Sequence, residues 1–314
     1  MAQGPIAPSR KDERDENAGA KAVPRVHWIG VGGTRLHVLD WDGGGRPVVF
    51  LPGLGQSAHV FRALAAELGA GFRCIAVTPR AHGESDTPEA GYTLAGFAGD
   101  VAAVMDALEI GRAAVVGHSF GGAVATRLAV DRPARVAAIV YLDSLTDYRG
   151  VSHIQYRNPA RPPALEPGAD DAAERAWHRT YVYGLWDDAL EADWRARPAT
   201  SQARAHRREL LAELMDVAVH SREPFPALRC PALALMAAET VEAQFPWLAP
   251  DDPRRPAAEK FVRETRAPWR RLSAERFRRE APNARVAEVA GNHFFFLSAP
   301  RQTAAEIRAF LHST

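Results

Sequence analysis

Cysteine is nearly missing from this chain of 314 residues: only Cys74 and Cys230 are present, each in or beside an apolar run. Two such residues do not make a disulfide framework, and both are expected as buried, inert thiols. Close-spaced metal signatures such as C-x-x-C or H-E-x-x-H are also missing, so neither a metal nor a cofactor is expected. Lysine occurs only at Lys11, Lys21 and Lys260, and the formal net charge is +1. With no concentrated basic stripe, nucleic acid is excluded as the expected partner. No uninterrupted apolar run is long enough to span a bilayer, and the N-terminus carries no apolar signal segment. A cytoplasmic protein without a membrane partner is the expectation. Residues 1–24 are polar with a mixed-charge run at 11–16, which reads as a disordered leader. The oligomeric state leaves no mark on the sequence.

What the chain does contain is an alternation of short apolar strands with amphipathic helices. Two strands over 26–31 and 35–41 flank Gly32-Gly33, a hairpin signal. Further strands read at 47–51, 72–77, 113–116, 136–142, 231–236 and 286–289. Helices read at 59–68, 93–108, 122–130, 257–280 and 301–311. Over 93–108 the apolar residues Leu94, Phe97, Val101, Val104, Met105 and Leu108 share one helical face. Continuous apolar strands separated by helices imply an α/β fold, a mostly parallel central sheet covered by helices on both faces. The alternation stops after Asp143. Residues 144–226 are rich in charge and aromatics, with helices plausible at 170–183 and 201–219. At about eighty residues this is an insertion rather than a connecting loop. The organisation expected is therefore a core over 25–143 and 227–314, with a helical insertion over 144–226. The arginine-rich stretch 270–279 reads as a solvated helix face.

One pentapeptide carries chemistry: Gly117-His118-Ser119-Phe120-Gly121, between the apolar strand 112–116 and an alanine-rich helix. This is G-x-S-x-G in its strand–turn–helix setting, where the serine stands clear of the sheet at a helix N-terminus. A serine hydroxyl is a weak nucleophile at neutral pH and needs a base within hydrogen-bond reach. It also needs two backbone N–H donors for the charge that develops on the attacked oxygen. Phe120 supplies one, immediately after the nucleophile. Leu54 supplies the other, in the loop Pro52-Gly53-Leu54-Gly55 that follows an early strand.

With these residues in view, the chain resembles the α/β-hydrolase fold superfamily. The landmarks are Leu51-Pro52-Gly53-Leu54-Gly55, Pro79-Arg80-Ala81-His82-Gly83-Glu84-Ser85-Asp86, Gly117-His118-Ser119-Phe120-Gly121-Gly122 and Gly291-Asn292-His293-Phe294. The resemblance covers nearly everything from Arg25 onward and is weakest within 144–226. It implies that the insertion is a cap over the active site, that Ser119 is the nucleophile and that His293 is the base. His118 and His82 are then structural hydrogen-bonding residues. For the acid the reading is Asp143, at the end of the 136–142 strand, with Glu239 after the 231–236 strand as the alternative. Thr240 occupies the slot where many relatives carry the acid. Trp177, Tyr181 and Tyr183 are candidates to line a substrate pocket. The implied activity is that of a capped serine hydrolase resembling esterases and lactonases. It would cleave a small to medium carboxylic ester or lactone with an apolar portion, through an acyl-enzyme on Ser119. Thioesterase, amidase, C–C hydrolase or perhydrolase chemistry would use the same triad, and a ligand-binding receptor of this fold with little turnover is the reading from another class.

Overall fold

The computed structural model describes residues 23–144, 157–166, 168–198, 200–220, 224–281 and 283–314. Apart from Val23 and Pro24, the expected leader lies outside the described residues. Eight strands form one sheet: β1 (Arg25–Val31), β2 (Thr34–Asp40), β3 (Arg46–Leu51), β4 (Phe72–Val77), β5 (Ala113–His118), β6 (Val136–Leu142), β7 (Ala232–Ala237) and β8 (Ala284–Val289). Their order is β1-β2-β4-β3-β5-β6-β7-β8. The first two pairings, β1 with β2 and β2 with β4, are antiparallel, and all the others are parallel.

Side chains alternate across a strand, so neighbouring residues serve opposite faces. Val115 belongs to the apolar cluster on one face and Val116 to the cluster on the other. That is why β5 reads as an unbroken apolar run rather than an alternating one. On the first face lie α2 (Leu94–Ala107) and α3 (Phe120–Asp131), through Phe97, Val101, Val104, Val124 and Leu128. The second face is covered by α1 (Arg62–Leu68), which contributes Leu64 and Leu68. The chain leaves β3 to one side to make β4, then returns to make β5 on the other side. The β3–β5 boundary is thus the switch point, where the carboxyl ends of strands in open α/β sheets open a crevice.

Between β6 and β7 run α4 (Asp171–His178), a π-helical turn Arg179–Tyr183, α5 (Asp188–Arg195) and α6 (Ser201–His220). After β7 come α7 (Val241–Gln244), α8 (Arg255–Phe261), a second π turn Val262–Arg266, and α9 (Ala267–Glu280), which packs Ala274 and Phe277 into the first face. The chain closes with α10 (Phe295–Ser298) and α11 (Pro300–His312), the latter beside α1 on the second face. Two of the helical segments are divided. The 59–68 segment opens as a 3-10 turn, Ala58–Phe61, and the 257–280 segment is interrupted by the π turn. Among the described residues, no helix is long and apolar enough to cross a membrane.

Candidate active site

Ser119 sits between β5 and α3 with φ 49° and ψ −120°. An L-residue rarely adopts a positive φ, and here the surroundings hold it in place. The Ser119 N–H donates to Leu142 O at 3.1 Å, and its carbonyl accepts from Gly122 N at 2.9 Å and from the Ser144 hydroxyl at 2.5 Å. The flanking glycines are a matter of space. A Cβ on Gly117 would lie 2.5 Å from Gly121 O, and one on Gly121 would lie 2.2 Å from Leu51 O. The turn is therefore pressed against the end of β3, and only glycine fits at these two places. Phe120 opens α3, where the first N–H groups of a helix have no partner within it. Leu54 lies in the loop after β3, on the neighbouring strand.

Asp143 follows β6 directly and also has a positive φ, 47°. Its Oδ2 stands 2.7 Å from His293 Nδ1. Its Oδ1 accepts from the Ala237 N–H at 2.9 Å and from the Arg270 guanidinium. Burial alone would raise this carboxyl's pKa. The Arg270 charge, the His293 contacts and the Ala237 N–H outweigh it, so the pKa lies well below the ordinary range. His293, in the turn after β8, has a side chain 39% exposed, so its ring meets both the buried acid and the open crevice.

Glu239 has other partners. Its carboxylate takes Arg266 Nε at 3.0 Å and a second Arg266 nitrogen at 3.2 Å, and it lies 3.3 Å from Arg270 Nε. Burial leaves its pKa raised despite these arginines. Thr240, in the slot where the acid was sought, caps α7 by accepting from Ala243 N. Of the two candidates, the structure brings Asp143 to His293 and Glu239 to the arginines.

Several participants escaped the sequence reading. Arg270 is 4% exposed, so the expectation of a solvated face over 270–279 fails at its first residue. Its helix, α9, turns this residue inward between the two carboxylates. A second is Asn292. Its side-chain amide donates to Tyr183 O at 3.0 Å, and its Oδ1 accepts from Phe294 N at 2.8 Å, tying the His293 turn to the segment between β6 and β7. The third is the partner set of His118. The ring is buried, with Nε2 3.0 Å from His293 O and Nδ1 3.0 Å from the Gln56 amide. Burial first, and the nearby His293, push its pKa well down, so the ring is neutral. The atom of the Gln56 amide facing Nδ1 is Oε1, and a neutral ring can donate to only one of these two oxygens. His118 thereby holds the His293 backbone against the strand that carries Ser119. His82 is likewise structural, with Nδ1 2.8 Å from Arg80 O.

A cavity of about 350 Å³ lies beside the Leu54–Gln56 loop and Phe294. Trp177 and Tyr183 line it, with Val182, Leu165 and Leu211, while Glu174, His178 and Arg197 bring polar groups. Tyr181 does not line it. Its ring packs between Trp177 and Trp247, 5.7 Å from each, because it projects from another side of the π turn. Both cysteines are buried and free, and burial pushes their thiols up to about 12 for Cys74 and about 11 for Cys230.

Comparisons with known proteins agree with this fold. Residues 46–191 match the family model described as the alpha/beta hydrolase fold. The 2-(acetamidomethylene)succinate hydrolase of Mesorhizobium japonicum is 35% identical over 115 residues, 37% of this chain and 41% of that protein. The non-heme chloroperoxidase of Streptomyces lividans is 39% identical over 116 residues, 36% of this chain and 42% of that one. The chain thus matches 41% and 42% of the length of these two curated relatives. A crystal structure of E-2-(acetamidomethylene)succinate hydrolase superposes with a TM-score of 0.66 at 23% identity, covering 92% of this chain and 99% of that one. With the eight-stranded sheet, the turn at Ser119 and these matches together, the chain has the α/β-hydrolase fold.

Proposed function

We propose that this protein is a serine hydrolase that cleaves a small to medium carboxylic ester or lactone through an acyl-enzyme on Ser119. The observation that carries the reading is the Asp143–His293 hydrogen bond at 2.7 Å, with the His293 carbonyl 3.0 Å from His118, the residue before a serine held at positive φ. Asp143 accepts from Nδ1–H, which fixes the tautomer and leaves Nε2 as the base. Nε2 takes the Ser119 proton as Oγ attacks the acyl carbonyl. The oxygen of the tetrahedral intermediate is held by the Leu54 and Phe120 N–H groups. The imidazolium then returns the proton to the leaving alcohol. Water, deprotonated by the same nitrogen, attacks the acyl-enzyme, releases the acid and restores Ser119.

In this reading, residues 144–226 act as a cap, and the cavity beneath them receives the acyl group, apolar along Trp177, Val182 and Leu211. The test is fluorophosphonate labelling of the full chain, followed by turnover on esters, lactones and amides. The amides belong in the panel because one relative is named as cleaving an acetamido compound. Ser119→Ala should abolish labelling and lower turnover by about four to six orders of magnitude. Asp143→Asn should cost roughly four orders, and Glu239→Gln far less. Rapid labelling without turnover of any ester would leave a receptor or another bond type. A crippled Glu239→Gln beside a healthy Asp143→Asn would move the acid.

A further inference from the structure

Three side chains outside this crevice converge from segments far apart in the chain. His37 lies on β2, His59 in the 3-10 turn Ala58–Phe61, and Glu84 in the loop after β4. The ligand-type atoms of all three lie within 4.8 Å of one another. His59 Nε2 is 2.8 Å from Glu84 Oε1, and His37 Nδ1 is 3.5 Å from Glu84 Oε2. A tetrahedral centre with bonds of about 2.0–2.1 Å separates its donors by about 3.4 Å, so both histidine–Glu84 distances are close to what is needed and side-chain rotation would have to bring one carboxylate oxygen and the two rings together.

We propose that His37, His59 and Glu84 form a structural site for a divalent first-row cation of the zinc class.

Two imidazoles and one carboxylate are the donor set zinc accepts, with the fourth position left to water or to Thr78. The Thr78 hydroxyl is already 2.9 Å from His37 Nδ1 and accepts from Ala58 N at 3.0 Å. The site is sheltered. His37 is 2% exposed, the Trp28 ring lies 5.3 Å from it, and the Arg35 guanidinium covers Trp28. Glu84 Oε2 is buried with no hydrogen-bond partner among the protein groups, an orphan oxygen that a cation would satisfy. No short-range motif announces such a site, because its ligands come from three separate segments.

A bound ion would tie the β2 strand to the turn that follows the Leu54 loop. That turn begins after Ser57, so the ion would brace one wall of the proposed crevice without touching substrate.

The experiment uses the full chain, free of affinity tag and dialysed against chelator, titrated with Zn²⁺ by calorimetry and with Co²⁺ by visible absorption. The expected result is one site per chain, with a dissociation constant at or below about 10 µM, tetrahedral Co²⁺ bands and a raised unfolding temperature with Zn²⁺. Glu84→Gln, which keeps size and hydrogen bonding, and His59→Gln should each weaken binding by at least about tenfold and remove the thermal shift. No saturable binding below about 100 µM overturns the proposal. So does binding of equal strength in both variants, which would put the metal elsewhere.

Discussion

Asp143 is the residue on which the proposed chemistry turns, and its environment is unusually dependent on one partner. Its carboxylate is buried, and burial alone would favour the neutral acid. Arg270, itself 4% exposed, makes the largest of the contributions that reverse that preference. The sign for stability follows from the lowered pKa. The ionised carboxyl contributes fully above its unfolded value of about 3.9, and the contribution is lost as pH falls through the folded value. Arg270→Met should therefore do two things. Stability at neutral pH should fall by about 3–5 kcal/mol, the usual cost of leaving one buried charge alone. The acid limb of kcat/KM should also move to higher pH, because Asp143 now protonates sooner. A merely structural arginine would change the first and leave the second in place. Denaturant midpoints and pH–rate profiles of Arg270→Met and Arg270→Lys separate the two cases, with lysine expected to restore part of the profile. In the double variant Arg270→Met with Asp143→Asn, the stability loss should be smaller than for Arg270→Met alone, since no unpaired anion remains.

At the scale of elements, the helices between β6 and β7 are held to the sheet at identifiable points. Asp193, on α5, accepts from the Ser57 N–H at 2.6 Å and from the Ser57 hydroxyl at 2.7 Å, and both residues are buried. Ser57 follows the Leu54–Gln56 loop, so α5 is pinned beside the proposed oxyanion donor. Asp193→Ala leaves a buried N–H and O–H without this acceptor, at a cost of about 1–3 kcal/mol. If these helices form the cap, the variant should raise KM and flatten discrimination among acyl sizes more than it lowers kcat. Equal losses on every substrate would mean that the clasp serves folding alone. The sequence showed some of these helices and not others, for physical reasons. The 170–183 and 201–219 segments carry enough helical pattern to be seen. α5 has eight residues, half of them charged, and its start depends on the Asp187 side chain capping Leu190 N. The choice of Asp143 over Glu239 was legible only in part, from Thr240 standing in the slot of a later acid and Glu239 one position before it. What local sequence did not show is that Glu239 pairs with Arg266 and that Arg270 lies between the two carboxylates, both arginines being supplied from far along the chain.

For the molecule as a whole, the sheet was legible because its signal is a property of continuous strands, whereas the crevice depends on distortions at strand ends. Ser119 and Asp143, which end the two adjacent strands β5 and β6, both have positive φ. Backbone in this region costs an L-residue about 1–3 kcal/mol, and it persists because the core around it is extensive and rigid. The strain at Ser119 can be measured by comparing two inactive variants. Ser119→Ala keeps a Cβ at φ 49°, whereas Ser119→Gly removes it. Glycine also gains freedom in the unfolded chain, which opposes the benefit by about 0.4–1 kcal/mol. Relief of the strain outweighs that gain in freedom, so Ser119→Gly should be more stable than Ser119→Ala by about 1 kcal/mol. The neighbouring residues supply the control. At Gly117 and Gly121 a Cβ would enter backbone at 2.5 Å and 2.2 Å, so Gly117→Ala and Gly121→Ala should be severely destabilised. Urea midpoints of the four variants test the account together. A Ser119→Gly protein no more stable than Ser119→Ala would mean that the positive φ carries no strain, and that the turn holds its serine without the sheet having to enforce it.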